Sequence, residues 1–243
     1  MLIPQNVIVN ADDIGLNPSV NQAILYSYQQ GYINSTSLLT NMDYFDEAVD
    51  IIHNHPEIVN IGLHGNFAEG KPVTNFKAKQ FLTPDGSWDI SKTNKVLQVL
   101  NAGSKAAFKN ELNAQIEKAL AAKVNITHID SHLHLHTLPA FHGLYIEAAR
   151  KHGLKLRLAQ TYREGSYIKF AYRRYLNGKI TSAGVAHSAM FETVDKFLEN
   201  PDRDFVAQPV EIMVHPDFKA DGILYDHVDN TSMDKWVAFL KGK

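Results

Sequence analysis

Four short apolar runs in this chain each end on a carboxylate or an imidazole: Val7-Ile8-Val9-Asn10-Ala11 before Asp12-Asp13, Val59-Asn60-Ile61-Gly62-Leu63 before His64, Ile126 to Ile129 before Asp130 and His132, and Val210-Glu211-Ile212-Met213-Val214 before His215. Apolar, β-branched runs of this length are strand-like, and helical patterns separate them. Asn17-Pro18 supplies an N-cap followed by proline at the first helical position. Val20, Ala23, Ile24 and Tyr28 then recur at helical spacing up to Gly31. Phe45, Ala48, Val49 and Ile52 mark a second helix before Pro56, and Pro139 to His152 reads as another, stopped at Gly153.

Strands alternating with helices call for βαβ units and a parallel sheet. Further strands are expected at 36–42, Lys155–Leu158, Thr181–Val185 and Val210–Val214, with a closing helix at 232–241. Residues 91–123 read as two helices split near Gly103. About seven βα units fit one α/β domain, a distorted (β/α) TIM-like barrel over residues 1–243. In such folds the carboxyl ends of the strands share one mouth, so the four polar run-ends converge there. The long connection 65–90 has little periodicity, as functional or mobile loops do.

The most specific segment is His128-Ile129-Asp130-Ser131-His132-Leu133-His134-Leu135-His136, where five polar residues occupy alternate positions. On a continuous strand all five share one face. A face of imidazoles with a carboxylate must be hydrogen-bonded, metal-bound or wet, because burying them unpartnered costs several kcal/mol. The chain has no cysteine, which removes disulfides and thiolate metal sites, so any metal binds through nitrogen and oxygen. Such ligands suit Zn²⁺, Mn²⁺ or Co²⁺, with Mg²⁺ also possible.

Composition narrows the partners. Lys plus Arg total 24 against 26 Asp plus Glu, and the basic residues are dispersed, so no patch argues for nucleic acid or an anionic membrane. No apolar stretch approaches the ~20 residues of a membrane span, and the N-terminus lacks the pattern of a secretory signal, from which a cytoplasmic protein is expected.

Taken together, Asn10-Ala11-Asp12-Asp13-Ile14-Gly15-Leu16, Gly62-Leu63-His64, His128 to His134 and Val214-His215-Pro216 resemble the YdjC-like carbohydrate deacetylase family, similar in fold and logic to the NodB-type polysaccharide deacetylases. The resemblance implies a distorted barrel, one divalent metal ion and removal of acetyl groups from N-acetylated amino sugars or short chitooligosaccharides. It also makes a homodimer reasonable. It implies Asp13, His64 and His132 as metal ligands, Asp12 as general base and His215 as general acid. Asp130 is expected to orient a histidine, and His134 and His136 to line sugar subsites. Arg157 anchors Asp12, anchors the substrate, or is a surface charge. The chain departs from the family pattern at Ile14, Gly65, Asp217 and Leu158 to Tyr162, all near the expected substrate mouth. Two other readings compete: another barrel metallohydrolase, such as an amidohydrolase or phosphoesterase, and a sugar-binding protein without catalysis.

Overall fold

The computed structural model describes residues 2–201 and 208–242. Strands β1 (Val7–Ile14), β2 (Ser35–Leu38), β3 (Ile61–Gly65), β4 (Ile126–Ser131), β5 (Lys155–Leu156), β6 (Met190–Glu192) and β7 (Val210–Val214) form one sheet, ordered β5-β4-β3-β2-β1-β7-β6. Every pairing in it is parallel. Helices α1 (Pro18–Gln29), α2 (Phe45–Asn54), α4 (Ala102–Ala121), α5 (Pro139–His152), α6 (Tyr167–Ser182), α7 (Val194–Leu198) and α8 (Ser232–Leu240) surround the sheet, with a single-turn α3 at Ile90–Thr93. The architecture is a distorted TIM-like barrel. β5 and β6 are not paired as strands; the seam between them is bridged by Leu156 N–H donating to the Ala186 carbonyl and Thr161 N–H to that of Phe191.

Local signals in the sequence set several boundaries. The Asn17 side chain accepts from Val20 N–H at 2.9 Å and starts α1, and Gly31 leaves the helix with φ +70°. Gly153 ends α5 in the same left-handed conformation, φ +67°. The second helical region starts later than its composition suggests. Asn101 caps α4 by accepting from Ser104 N–H, so Gly103 lies inside the first turn rather than between two helices. The expected strand at Thr181–Val185 is instead the end of α6 and its exit turn. Arg173, Leu176 and Ile180 form the buried stripe of that helix, and its 3.6-residue period outweighs the β-branched content. The sixth strand lies further on, at β6, and a hairpin of β8 (Pro216–Phe218) and β9 (Leu224–Asp226) follows β7.

The connection 65–90 carries its own core. Phe67, Phe76, Phe81 and Trp88 are buried around Phe108 and Phe141 of the neighbouring helices, the phenylalanines edge-on or tilted and Trp88 stacked on Phe108. Clusters of aromatic rings in this geometry hold a segment without regular hydrogen bonding. The loop is therefore packed down beside the carboxyl ends of the strands. No helix among the described residues is long and apolar enough to cross a membrane.

Candidate metal centre and active site

β1 continues through Asp12 and Asp13 with an irregular register between Ala11 and Ile14, and Asp13 sits at φ +78°. A non-glycine residue in that region is strained, and such strain concentrates at functional positions. The twist turns Asp13 out of the strand's alternation. Its Oδ1 lies 2.8 Å from His132 Nδ1 and 3.2 Å from His64 Nε2. One ligand atom from each of Asp13, His64 and His132 falls within 4.8 Å of the others, and all three residues are buried.

The alternating segment does not stay on one strand. β4 ends at Ser131; His132 to Thr137 coil into a 3-10 turn in which Leu133 and His134 adopt left-handed backbone, φ +53° and +54°. The expectation that five polar residues share a strand face is thus overturned. His128 and Asp130 remain inside the barrel, while His132 is thrown to the mouth against Asp13. His128 lies over Gly62 and places Nε2 3.1 Å from Asn10 Oδ1. His136 is fully buried behind the mouth, its Nδ1 2.7 Å from Ser131 Oγ, so it does not present itself on an open subsite wall. His134 packs edge-on against Phe191, with its ring centroid 5.8 Å away.

Arg157, just past β5, is a buried hub rather than a surface charge. Its guanidinium donates to both Asp12 oxygens at 2.7 and 2.8 Å, to Asp130 Oδ2 at 2.7 Å and to Glu211 Oε1 at 2.5 Å. Burial opposes the charge on Asp12 and Asp130, but the guanidinium outweighs it and both carboxyls are held below their ordinary range. Asn10 adds a bond to Asp12 Oδ1, and Ser37 one to Asp130 Oδ2. Asp130 Oδ1 lies 2.8 Å from His64 Nδ1. With a cation bound, His64 donating there would keep its Nε2 lone pair turned to the ion on the Asp13 side.

The cluster suits a divalent cation. Asp12, Asp130 and Glu211 share one buried guanidinium, and Asp13, also buried, has only imidazoles beside it. Without a cation, the negative charge is balanced by protons on imidazoles. Burial opposes a charge on His64, but Asp130 and Asp12 raise it to about 10; burial likewise opposes His132, which Asp13 raises to about 9. A divalent ion supplies the same positive charge to one carboxylate and two nitrogens, a familiar donor set for Zn²⁺ and similar ions. A second buried trio, Asp12, His64 and Asp130, is already occupied by Arg157.

His215 follows β7 and places Nε2 3.9 Å from Asp12 Oδ2. Two neighbours went unnoticed in the sequence. Asp226, buried at the end of β9, accepts from the His215 backbone N–H at 2.7 Å and lies 3.4 Å from its Nδ1. His227 places Nε2 3.6 Å from Asp13 Oδ2 and packs edge-on against His215. Burial opposes a charge on His215, but Asp226 and Asp12 outweigh it and raise its pKa. Only the hairpin pairing Pro216 with Asp226 brings these residues to the mouth, and no spacing signal announces it. Two departures from the family pattern also find places. Gly65 leaves room for Tyr145, whose hydroxyl would lie 2.5 Å from a Cβ there, and Asp217 accepts from Ser19 Oγ, tying the hairpin to α1.

Fold and site together define an α/β barrel protein with a buried carboxylate–imidazole cluster at the carboxyl mouth of its strands. The profile of the family described as YdjC-like protein matches residues 6–238, and the chain belongs to that family. Among its relatives, a carbohydrate deacetylase of Vibrio vulnificus strain YJ016 is 30% identical over 210 residues, covering 86% of this chain and 77% of that protein. A carbohydrate deacetylase of Listeria monocytogenes serotype 4b is 31% identical over 217 residues, covering 87% and 81%. A crystal structure assigned to a cellobiose-phosphate cleavage protein of Enterococcus faecalis V583 superposes with TM-score 0.68 at 23% identity, over 88% of this chain and 82% of that one, a likeness of fold.

Proposed function

We propose that the protein is a metal-dependent carbohydrate N-deacetylase that releases acetate from N-acetylated amino sugars or short chitooligosaccharides, residues 1–243 acting as one domain. The observation that carries the reading is the convergence of Asp13, His64 and His132 beside an Asp12 carboxylate locked by Arg157. The names of the relatives support the substrate class.

Asp13, His64 and His132 would hold one divalent ion, Zn²⁺ or Mg²⁺, with Mn²⁺ or Co²⁺ also suited. A divalent ion bound there would polarise the acetyl carbonyl and offset the charge that develops on its oxygen. Asp12 is ionised at neutral pH and is oriented by Arg157 and Asn10, leaving Oδ2 turned toward His215. It takes a proton from the attacking water. Asp226 holds the His215 ring by its Nδ1 side, so Nε2–H is directed into the site. It gives that proton to the departing amine as the C–N bond breaks, leaving acetate and a free amino sugar. Asp130 orients His64.

Acetate release from diacetylchitobiose and related N-acetylated sugars tests this, using metal-stripped protein resupplied with Zn²⁺, Mn²⁺, Co²⁺ or Mg²⁺. Metal-dependent acetate is expected, with Asp12→Asn lowering turnover by roughly 10²–10⁴-fold while metal content is kept. Near-normal turnover in that variant removes Asp12 from the role of base. Stoichiometric metal without acetate from any sugar overturns the deacetylase reading.

A further inference from the structure

His132 has a nitrogen with nowhere to go. Nδ1 faces Asp13 Oδ1, while Nε2 is buried without a hydrogen-bond partner. A buried polar atom left unmade costs on the order of 1–3 kcal/mol, so the exceptions in a native fold call for a partner. The carboxylate beside this one is Glu69, whose Oε1 stands 3.5 Å from Nε2. The Glu69 side chain is about half exposed, at 49%, and is free to close the remaining few tenths of an ångström.

The backbone that presents Glu69 is fixed. Asn66, fully buried, accepts at Oδ1 from the N–H groups of Ala68 and Glu69, and its own N–H donates to Gln115 Oε1. The Glu69 carbonyl in turn accepts from Asn41 and Asn66 side-chain amides at 2.8 and 3.1 Å. A loop anchored this tightly, with one carboxylate aimed at one orphaned nitrogen, is built for that contact.

We infer that Glu69 is the positioning residue for the metal histidine His132. It accepts Nε2–H, fixes the tautomer, and leaves the Nδ1 lone pair for the ion. This repeats on His132 what Asp130 does on His64 from the other side of the cluster, and it gives the packed 65–90 connection a task at the metal. The inference rests on the metal reading given under Proposed function. Carboxylates hydrogen-bonded to ligating histidines raise ligand basicity and hold ring orientation, and their loss costs 10–100-fold in metal affinity or activity.

The test is calorimetric titration of Zn²⁺ into metal-stripped wild type, Glu69→Ala and Glu69→Gln, with ¹⁵N NMR of the histidines in the zinc-loaded proteins. Wild type is expected to bind one Zn²⁺ and to show His132 protonated at Nε2 and bound through Nδ1. Glu69→Ala should weaken Zn²⁺ binding 10–100-fold at unchanged stoichiometry and alter the His132 Nε2 signal. Glu69→Gln, which keeps an acceptor oxygen, should recover most of the affinity. Wild-type affinity and an unchanged His132 signal in Glu69→Ala overturn the inference while leaving the metal reading intact, as does zinc found on His132 Nε2. Failure of wild type to bind zinc, manganese, cobalt or magnesium ions takes down the metal reading and this inference with it.

Discussion

Replacing Arg157 by leucine deletes the guanidinium that Asp12, Asp130 and Glu211 share, all of them buried. Removing one partner of a buried ion pair typically costs about 3–5 kcal/mol, because the charge left behind is uncompensated. Three carboxylates depend on this guanidinium, which places the variant toward the upper end. For a chain of this size, 1 kcal/mol moves Tm by about 2–4 °C, so a fall of about 10–20 °C is expected at pH 7.5. The pH dependence is more diagnostic than the size. In the wild type Asp12 and Asp130 are held below the ordinary 3.8, so their contribution is present above about pH 4 and is lost as pH falls through their folded values. In Arg157→Leu the same buried carboxyls lose the guanidinium and keep only His64 beside them, so they shift upward toward the protonated form. Their penalty is then largest at neutral pH and relaxes on acidification. Differential scanning calorimetry from pH 8 to pH 5 should therefore show the gap between variant and wild type narrowing as pH falls. A Tm within about 2 °C of wild type at pH 7.5, or two parallel curves, would refute the account of Arg157 as the charge hub.

Gly62→Ala would put a Cβ 2.3 Å from His128 Nε2, so the ring must leave Asn10; a loss of about 1–3 kcal/mol in denaturant unfolding is expected. If the ring is the obstacle, Gly62→Ala with His128→Ala should be less destabilised than the sum of the single variants, and strict additivity would show that something else clashes. His128 itself favours its neutral form in the fold: burial lowers it from 6.5 to about 4. Its contribution is complete above about pH 6.5 and is lost as pH falls toward 4, by up to about 3 kcal/mol. His128→Asn should flatten that part of the stability profile, and an unchanged slope between pH 6.5 and 4.5 would mean that His128 is not responsible.

What the sequence determined by itself was local and periodic. The β-branched runs specified β1, β3, β4 and β7, because a parallel strand buried on both faces has to be nearly continuous in apolar residues. Asn17-Pro18, Gly31 and Gly153 specified helix ends through cap chemistry and left-handed backbone, which depend on a few neighbouring residues. The same logic put Asp12, Asp13, His64 and His215 at one mouth, since parallel strands present their carboxyl ends together. Tertiary structure decided the rest. The alternation from His128 to His136 looked like one face, but alternation specifies a face only while the backbone stays extended, and Leu133 and His134 leave that region. Whether Arg157 met Asp12, substrate or solvent depended on which strand lay opposite β5 across the barrel. Asp226, His227 and Glu69 reach the cluster through a hairpin and an aromatic-packed loop, neither of which carries a period. A carboxylate in a loop has no sequence signature for the nitrogen it faces; that is set by side chains brought together from distant parts of the chain, and only the folded chain shows it.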